Sequence, residues 1–488
     1  MGAGGSDIRF GTDGWRAIIA DEYTFDNVAR VGAALARYLR SAGRKDLSLY
    51  TKWGVPFRSA DAGVVVGYDT RFLSREFACH LAQAVAAEGV PAHVTTGFVP
   101  TPALSHAVCA GEYAGGVIIT ASHNPPKYNG VKFKPEYGGS ATEEVTRAVE
   151  ALLPAQVPAV ADAPLEACNA REPYLRALEE RVDLKAIGEA PLYVVADSMY
   201  GSAQGCLTSL LHGARVPASP IRASVDPLFG GKRPEPLEEN MGPLRAVVRS
   251  LRRRKGRRIV VGLVTDGDGD RAAAMDENGA YLDTHRCAAL ILWHLIRHRG
   301  LKGTVTKSFA LTDMIGTLAD SAGVACNEVK IGFKWTVEGL VRGGVEFAGE
   351  ESGGYGYSWH LPERDGILSG LLLLELVAAT GKSLSTLVEE LFAQVGPHHY
   401  RRMDLELPNR LEIADQLAEQ PPEELGGRRV TSVETLDGVK LRMDGGWLLF
   451  RASGTEPILR VYCEMNSIAA VNACLEEAKA LVTGGLAL

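Results

Sequence analysis

The sequence predicts an α/β protein of four domains: three similar domains with mixed or parallel sheets, then a C-terminal α+β domain with an antiparallel sheet. Three observations predict it. The chain has 488 residues, whereas single hydrophobic cores stop growing near roughly 250–300 residues. One unit recurs, an apolar β-rich run, a short polar turn and a helix with apolar residues three and four apart, and such alternation implies parallel strands covered on both faces. After Gly396-Pro397 the pattern changes to alternating strands with Gly/Asp turns, as in Leu436-Asp437-Gly438 and Asp444-Gly445-Gly446, which favours antiparallel pairing.

The first copy of the unit runs from Val64-Val65-Val66 through Asp69-Thr70-Arg71 to Phe77, Leu81 and Val85 on one helical face. The second leads from Tyr193-Val194-Val195-Ala196 through Asp197 and Gly201 to Leu207, Leu210 and Leu211, and the third from Val305 to Met314, Ile315 and Leu318. A Pro/Ala-rich stretch at 154–164, a change after Asp283 and Gly396-Pro397 suggest domains 1–165, 166–283, 284–395 and 396–488.

Composition, with 46% hydrophobic and 23% charged residues, is that of an ordinary soluble protein. A net charge of −7 offers no global attraction for nucleic acid. The basic run Arg252-Arg253-Arg254-Lys255 with Arg257-Arg258 follows the helical stretch 244–251 and reads as a solvated helix end. The eight cysteines are scattered without a C-x-x-C pair, so a reducing cytoplasm is expected. The N-terminus lacks the basic and apolar stretches of a secretion signal, and the match of Gly2 and Ser6 to a myristoylation pattern is short enough to be chance. The most apolar run, 367–379, contains Glu375 and falls short of the roughly 20 residues of a membrane span; it reads as a buried helix.

Four loops carry candidate chemistry. Thr120-Ala121-Ser122-His123-Asn124-Pro125-Pro126 follows the apolar run 116–119 and continues through Tyr128-Asn129-Gly130 to Lys132. A loop leaving a strand end is where α/β sheets place chemistry, and a serine nucleophile needs the base or charge partner that His123 and Lys132 offer. The alternative is a turn whose serine caps a backbone N–H. Asp266-Gly267-Asp268-Gly269-Asp270-Arg271 follows the strand-like 259–264. Three carboxylates spaced by glycines can converge on one hard cation. An EF-hand would use Asp266, Asp268, Asp270 and Glu277 at positions 1, 3, 5 and 12, but Arg271 holds the place that requires glycine and a strand replaces the entering helix.

Gly349-Glu350-Glu351-Ser352-Gly353-Gly354-Tyr355-Gly356 sets a carboxylate and a hydroxyl two residues apart. That suits sugar hydroxyls, and a flexible turn explains it nearly as well. Arg451-Ala452-Ser453-Gly454-Thr455-Glu456-Pro457 lies between strand-like 447–450 and 458–462. A guanidinium, two hydroxyls and an exposed backbone are the parts of a phosphate cradle; the plainer reading is a polar connection.

In this order the four loops resemble those of the α-D-phosphohexomutase superfamily across essentially the whole chain, and Phe10-Gly11-Thr12-Asp13-Gly14-Trp15-Arg16 resembles its first-domain segment. The resemblance implies four domains around a central cleft, each giving one loop. It implies that Ser122 carries the transferable phosphoryl, that Mg²⁺ is held by Asp266, Asp268, Asp270 and a phosphoserine oxygen of Ser122, and that Lys132 is the general base assisted by His123 and Arg271. It further implies that Glu350 and Ser352 bind the sugar, that Arg451, Ser453, Gly454 and Thr455 bind the distal phosphate, and that Arg16 and Lys334 reach the substrate. The expected reaction interconverts hexose 1-phosphate and 6-phosphate through a hexose 1,6-bisphosphate that turns over in the cleft, with a hinged fourth domain. In the phosphoglucosamine and dual glucose/mannose branches a histidine commonly follows the Ser-Gly of the sugar loop, where this chain has Gly354. Gly-Glu-Glu-Ser is closer to phosphoglucomutases. Glucose phosphate is therefore the expected substrate, with mannose phosphate or bisphosphate synthesis as alternatives. A sugar-phosphate phosphatase lacks an evident base for water, and a silent binder would not call for Ser122, Lys132 and three aspartates. The expected partner is a small sugar phosphate, with no nucleic acid or membrane, acting on a monomer or homodimer.

Overall fold

The computed structural model describes residues 8–11, 14–160, 164–254, 256, 258–454 and 457–484. The first sheet contains β1 (Trp15–Ile18), β2 (Val64–Tyr68), β3 (Ala92–Thr95), β4 (Gly115–Ile119), β5 (Tyr128–Pro135) and β6 (Glu166–Cys168) in the order β1-β5-β4-β2-β3-β6. β4, β2, β3 and β6 are parallel, while β5 runs antiparallel to both β4 and β1. Strand alternation explains why β2 is apolar throughout: Val64 and Val66 join the core under the helix Ser74–Ala87, and Val65 joins the core under Thr101–Ala110. β6 pairs with β3 at the edge of this sheet. A boundary after residue 165 would assign it to the second domain; the chain instead returns along the first sheet before crossing over.

The second sheet contains β7 (Leu192–Asp197), β8 (Ala218–Ile221), β9 (Ile259–Thr265), β10 (Ala272–Met275) and β11 (Tyr281–Leu282), ordered β11-β10-β9-β7-β8. β9 and β10 are an antiparallel pair, so the three aspartates sit in the turn of a hairpin. This arrangement excludes the EF-hand. No helix enters the loop, and Glu277 lies beyond β10, where its carboxylate accepts from Ser385 Oγ at 2.5 Å.

The third sheet contains β12 (Thr304–Ser308), β13 (Cys326–Val329), β14 (Val345–Gly349), β15 (Tyr355–Tyr357) and β16 (Leu361–Arg364), ordered β13-β12-β14-β15-β16. The apolar run becomes the helix Gly366–Thr380, buried over most of its length, capped by Asp365 and closed by Gly381 in the left-handed region at φ 66°. Among the described residues no single helix is long and apolar enough to cross a membrane. The basic run lies in the last turn of the helix Gly242–Arg254; Lys255 and Arg257 lie outside the described residues.

The fourth sheet contains β17 (His399–Glu406), β18 (Glu424–Leu425), β19 (Arg428–Glu434), β20 (Val439–Met443), β21 (Gly446–Ala452) and β22 (Ile458–Met465), ordered β17-β22-β21-β20-β19-β18 and antiparallel throughout. One apolar core runs continuously from Leu104 and Ile118 through Val194 and Leu263 to Leu371 and Leu374, tying the first three sheets together. The fourth sheet has its own core around Leu441, Leu448, Phe450 and Val461. It meets the third through the small cluster Phe309, Ala310, Trp447, Leu449 and Tyr462 and through ion pairs such as Lys440–Glu328 at 2.9 Å.

Candidate active site

The serine loop leaves the end of β4 and returns as β5. Ser122 is 1% exposed and has a left-handed backbone, φ 50°, a conformation that costs a non-glycine residue about 1–3 kcal/mol and persists only where its surroundings enforce it. Its N–H donates to Thr120 Oγ1 at 2.9 Å and its Oγ donates to Asp266 Oδ2 at 2.9 Å. The second of these joins the first and second domains.

Lys132, expected as part of the loop, lies within β5 opposite Ile118. Alternation along β5 sends Val131 and Phe133 into the first-domain core and turns Lys132 and Lys134 to the other face. There the Lys132 ammonium bridges Asp268 at 2.8 Å and Asp270 at 3.1 Å, and Lys134 pairs with Glu363 of the third domain.

Asp266, Asp268 and Asp270 are all fully buried, and one ligand oxygen from each lies within 4.8 Å of the others. Burial, reinforced by repulsion from Asp268 and Asp270, pushes the Asp266 carboxyl well above its usual range. Burial pushes Asp268 the same way, but Lys132 and the Thr101 hydroxyl at 2.6 Å outweigh it and hold that carboxyl low. Among the described residues Asp268 Oδ1 and Asp270 Oδ1 are buried with no hydrogen-bond partner, which is costly for a carboxylate unless a further ligand is present. Three converging oxygens with two orphaned lone-pair sites are the donor set of a hard divalent cation, so the residues fit Mg²⁺. The turn also needs its glycine: a Cβ on Gly267 would come within 2.5 Å of Ser122 O, so only a residue without a side chain lets the two loops touch.

His123, Arg271 and Arg16 gather around this contact. His123 Nδ1 is 3.3 Å from Ser122 Oγ; burial first, then Arg271, Arg16 and Lys132, lower its pKa so far that the imidazole is neutral at pH 7. Arg271 lies 3.9 Å from both Asp266 and Asp270, with its backbone N–H on Asp266 Oδ1 at 3.2 Å. Arg16 donates to Asn124 Oδ1 at 2.8 Å, next in the loop to His123.

Glu350, at the end of the sugar loop nearest β14, is buried, and burial, opposed by Arg364, pushes its carboxyl up to about 7. Ser352 Oγ is buried with no hydrogen-bond partner among the described residues. The sugar loop is sewn to the aspartate hairpin by Ala272 N–H on Gly353 O at 2.9 Å. The other candidates are held by their own surroundings. Lys334 pairs with Glu143 of the first domain at 2.7 Å. Arg451, at the end of β21, pairs with Asp437 at 3.1 Å, and Ser453 N–H bonds Ile458 O at 2.9 Å as the strand turns back. A Cβ on Gly454 would meet nothing within 4 Å. Thr455, with Thr12 and Asp13, lies outside the described residues.

The structure adds residues that sequence reasoning missed. Arg364 bonds Asp270 at 2.8 Å and Glu350 at 3.4 Å, linking the aspartate hairpin to the sugar loop. Thr101 donates to Asp268 twice, from its backbone N–H to the carbonyl and from its hydroxyl to the carboxylate. Arg71 grips the serine loop. Arg71 lies in the polar turn of the first recurring unit, where nothing local marks its role, and the one local signal for Arg364 is the helix-capping Asp365 beside it.

Comparison with known proteins agrees with this architecture. Family models described as phosphoglucomutase/phosphomannomutase α/β/α domains I, II and III match residues 7–157, 172–279 and 283–395, and the C-terminal domain model of the same family matches 409–481. A Thermococcus kodakarensis protein named phosphoglucomutase/phosphomannomutase is 30% identical over 467 residues, covering 94% of each chain. A Pyrococcus abyssi relative, provisionally named a phosphoglucosamine mutase, is 31% identical over 491 residues and 97% of each chain. A solved structure from Thermus thermophilus, provisionally named a phosphomannomutase, superposes with a TM-score of 0.85 at 38% identity, covering 98% of this chain and 100% of that one. With all four domains matched in order, the chain belongs to the phosphoglucomutase/phosphomannomutase family, whose mutases are phosphotransferases.

Proposed function

We propose that this protein interconverts glucose 1-phosphate and glucose 6-phosphate through a phosphoserine at Ser122 and glucose 1,6-bisphosphate. The observation that carries the reading is the 2.9 Å contact between Ser122 Oγ and Asp266, inside a buried triad whose other two carboxylates share Lys132. Asp266, Asp268 and Asp270 would hold Mg²⁺, which when bound supplies charge neutralisation for the carboxylates and the phosphoryl oxygens. The phosphoryl on Ser122 passes to the free hydroxyl of the sugar phosphate: the bond from phosphorus to Ser122 Oγ breaks, the bond to the sugar oxygen forms, and Lys132, as the neutral amine left when its ammonium gives a proton to solvent, takes the hydroxyl proton. Neutral His123 stays within hydrogen-bond reach of the serine oxygen, and Arg271 and Arg16 offset negative charge there. Glu350 and Ser352 offer the sugar an acceptor and a buried hydroxyl. The bisphosphate then reverses its ends and returns its other phosphoryl to Ser122, the distal phosphate being held each time by Arg451, Ser453, Gly454 and Thr455. A fourth domain with a core of its own can open for that reversal and close to exclude water.

Glucose is favoured over glucosamine by the sugar loop. A Cβ at Gly354 would come within 2.3 Å of Arg364 Cδ, so the Arg364 stem fills the space that a side chain at this position would need. Mannose phosphate, the substrate suggested by the name of the Thermus relative, is the second reading. A coupled assay with glucose, mannose and glucosamine 1-phosphates, run with Mg²⁺ and the matching bisphosphate, tests both. A kcat/KM highest for glucose 1-phosphate supports the proposal, and a preference for glucosamine 1-phosphate overturns the Gly354 argument.

A further inference from the structure

The turn Asp69-Thr70-Arg71 leaves the end of β2 beside the serine loop, and nothing in the reaction requires it to touch the substrate. Arg71 is 3% exposed. Its guanidinium donates to four backbone carbonyls of one loop: Ser122 O at 2.7 Å, Asn124 O at 2.7 Å, Pro125 O at 3.0 Å and Tyr128 O at 3.0 Å. Asp69, 3.2 Å from Arg71 Nε, compensates the buried charge and ties in the rest of the loop. Its Oδ2 accepts from Thr120 Oγ1 at 2.6 Å, and the same Thr120 oxygen receives Ser122 N–H. Its Oδ1 accepts from Ser74 Oγ at 2.7 Å and from the Arg71 N–H at 2.9 Å. The turn also reaches the second domain, for Thr70 Oγ1 donates to Tyr200 O at 2.8 Å and the Arg71 guanidinium lies 4.9 Å from the centre of the Phe229 ring.

We propose that Arg71 is the positioning residue of the nucleophile loop: by gathering the carbonyls of Ser122, Asn124, Pro125 and Tyr128 it enforces the left-handed backbone of Ser122 that aims Oγ at Asp266. The reason for arginine is geometric. Two terminal nitrogens of a planar fork each serve two carbonyls, whereas a lysine ammonium in the same place is a single point with three donors. Four aligned carbonyls would otherwise be buried or strained, and a serine released from φ 50° would turn its hydroxyl away from the aspartate hairpin. Asp69 acts on the other side of the residue, through Thr120 to the Ser122 N–H, so one ion pair holds both peptide groups flanking the nucleophile.

This inference rests on Ser122 as the phosphorylated residue, and the experiment separates the two. Full-length wild type, Ser122→Ala, Arg71→Lys, Thr120→Val and Thr120→Ser are compared for kcat and KM with glucose 1-phosphate, for single-turnover phosphorylation by glucose 1,6-bisphosphate, and for the urea unfolding midpoint. Arg71→Lys should lower kcat and the phosphorylation rate about 100-fold, the scale of a misplacement of about 1 Å, while KM changes less than about threefold. Thr120→Val should lose about tenfold for one hydrogen bond, and Thr120→Ser should recover it. A purely structural role would lower the urea midpoint and leave kcat of the folded fraction unchanged. Arg71→Lys phosphorylating at the wild-type rate overturns the proposal. Should that variant fail to fold, equal rates in Thr120→Val and Thr120→Ser overturn it instead. Activity in Ser122→Ala would remove the nucleophile itself, whereas an inactive Ser122→Ala beside an unimpaired Arg71→Lys removes only the positioning role.

Discussion

Ser122 Oγ and Asp266 Oδ2 lie 2.9 Å apart although 144 residues separate them in the chain. The contact is made from opposite directions: a strained loop at the end of β4 presents the hydroxyl, and the turn of the β9–β10 hairpin presents the carboxylate. The continuous core beneath the first three sheets fixes the two loops relative to one another. The fourth sheet, with its separate core, contributes nothing to this contact.

Lys132 sits on a strand, so its ammonium is placed by sheet register and not by loop closure. Lys132→Ala should lower kcat by about 10²–10⁴-fold with little change in KM, because a proton acceptor acts mainly in the transition state. Steady-state kinetics with glucose 1-phosphate decide it; a raised KM at unchanged kcat would make Lys132 a binding residue only.

The aspartate triad should make turnover dependent on a divalent cation. EDTA should abolish activity and Mg²⁺ restore it, with Ca²⁺ a poor substitute because it favours longer and more numerous oxygen contacts. Asp268→Ala should raise the Mg²⁺ concentration needed for half-activity. Full turnover in EDTA would contradict the assignment.

The raised carboxyl of Glu350 has a stability signature. It titrates near 7 in the folded protein against 4.5 unperturbed, burial being the main cause. Between those values the folded state keeps a proton that the unfolded chain has lost, so stability falls as pH rises, by an amount on the order of 3 kcal/mol once pH exceeds the folded value. Glu350→Gln should flatten that part of the profile in metal-free protein. Thermal unfolding from pH 4.5 to 8 checks it, and identical slopes in wild type and variant would refute it.

How much of this is legible in the sequence depends on how local each role is. Ser122, the three aspartates and the Glu350–Ser352 turn can be picked out as candidates because turn chemistry is written in adjacent residues, although a flexible turn explains the last nearly as well; the apolar helix at 366–380 is legible because its pattern is continuous. Arg71, Thr101 and Arg364 do not. Arg71 acts on carbonyls more than 50 residues away and Thr101 on a carboxylate 167 residues away, so only the packed sheets reveal them. The β6 edge strand escapes for the same reason, since three residues after a Pro/Ala-rich stretch carry no period of their own. Lys132 stands out as a residue but reads as part of a loop, because Asn129-Gly130 has the composition of a turn while pairing with β1 keeps it extended.

Arg451 lies on the fourth sheet, outside the core shared by the first three. Arg451→Ala removes a charge-assisted phosphate contact and should raise KM, and it should also release more free glucose 1,6-bisphosphate per turnover, because a cleft that closes less firmly loses the intermediate while it reorients. Measuring bisphosphate in solution during turnover separates this from a chemical defect. Unchanged KM together with unchanged release would take this loop out of the site.

The central claim is covalent, and mass spectrometry reads it directly. Wild-type protein incubated with glucose 1,6-bisphosphate and Mg²⁺ should gain one phosphoryl group, mapped by peptide fragmentation to Ser122 and discharged on adding glucose 1-phosphate. Ser122→Ala should gain none and lose nearly all mutase turnover. Full turnover by Ser122→Ala, or a phosphoryl group mapped to another residue and discharged at the same rate, would contradict the account.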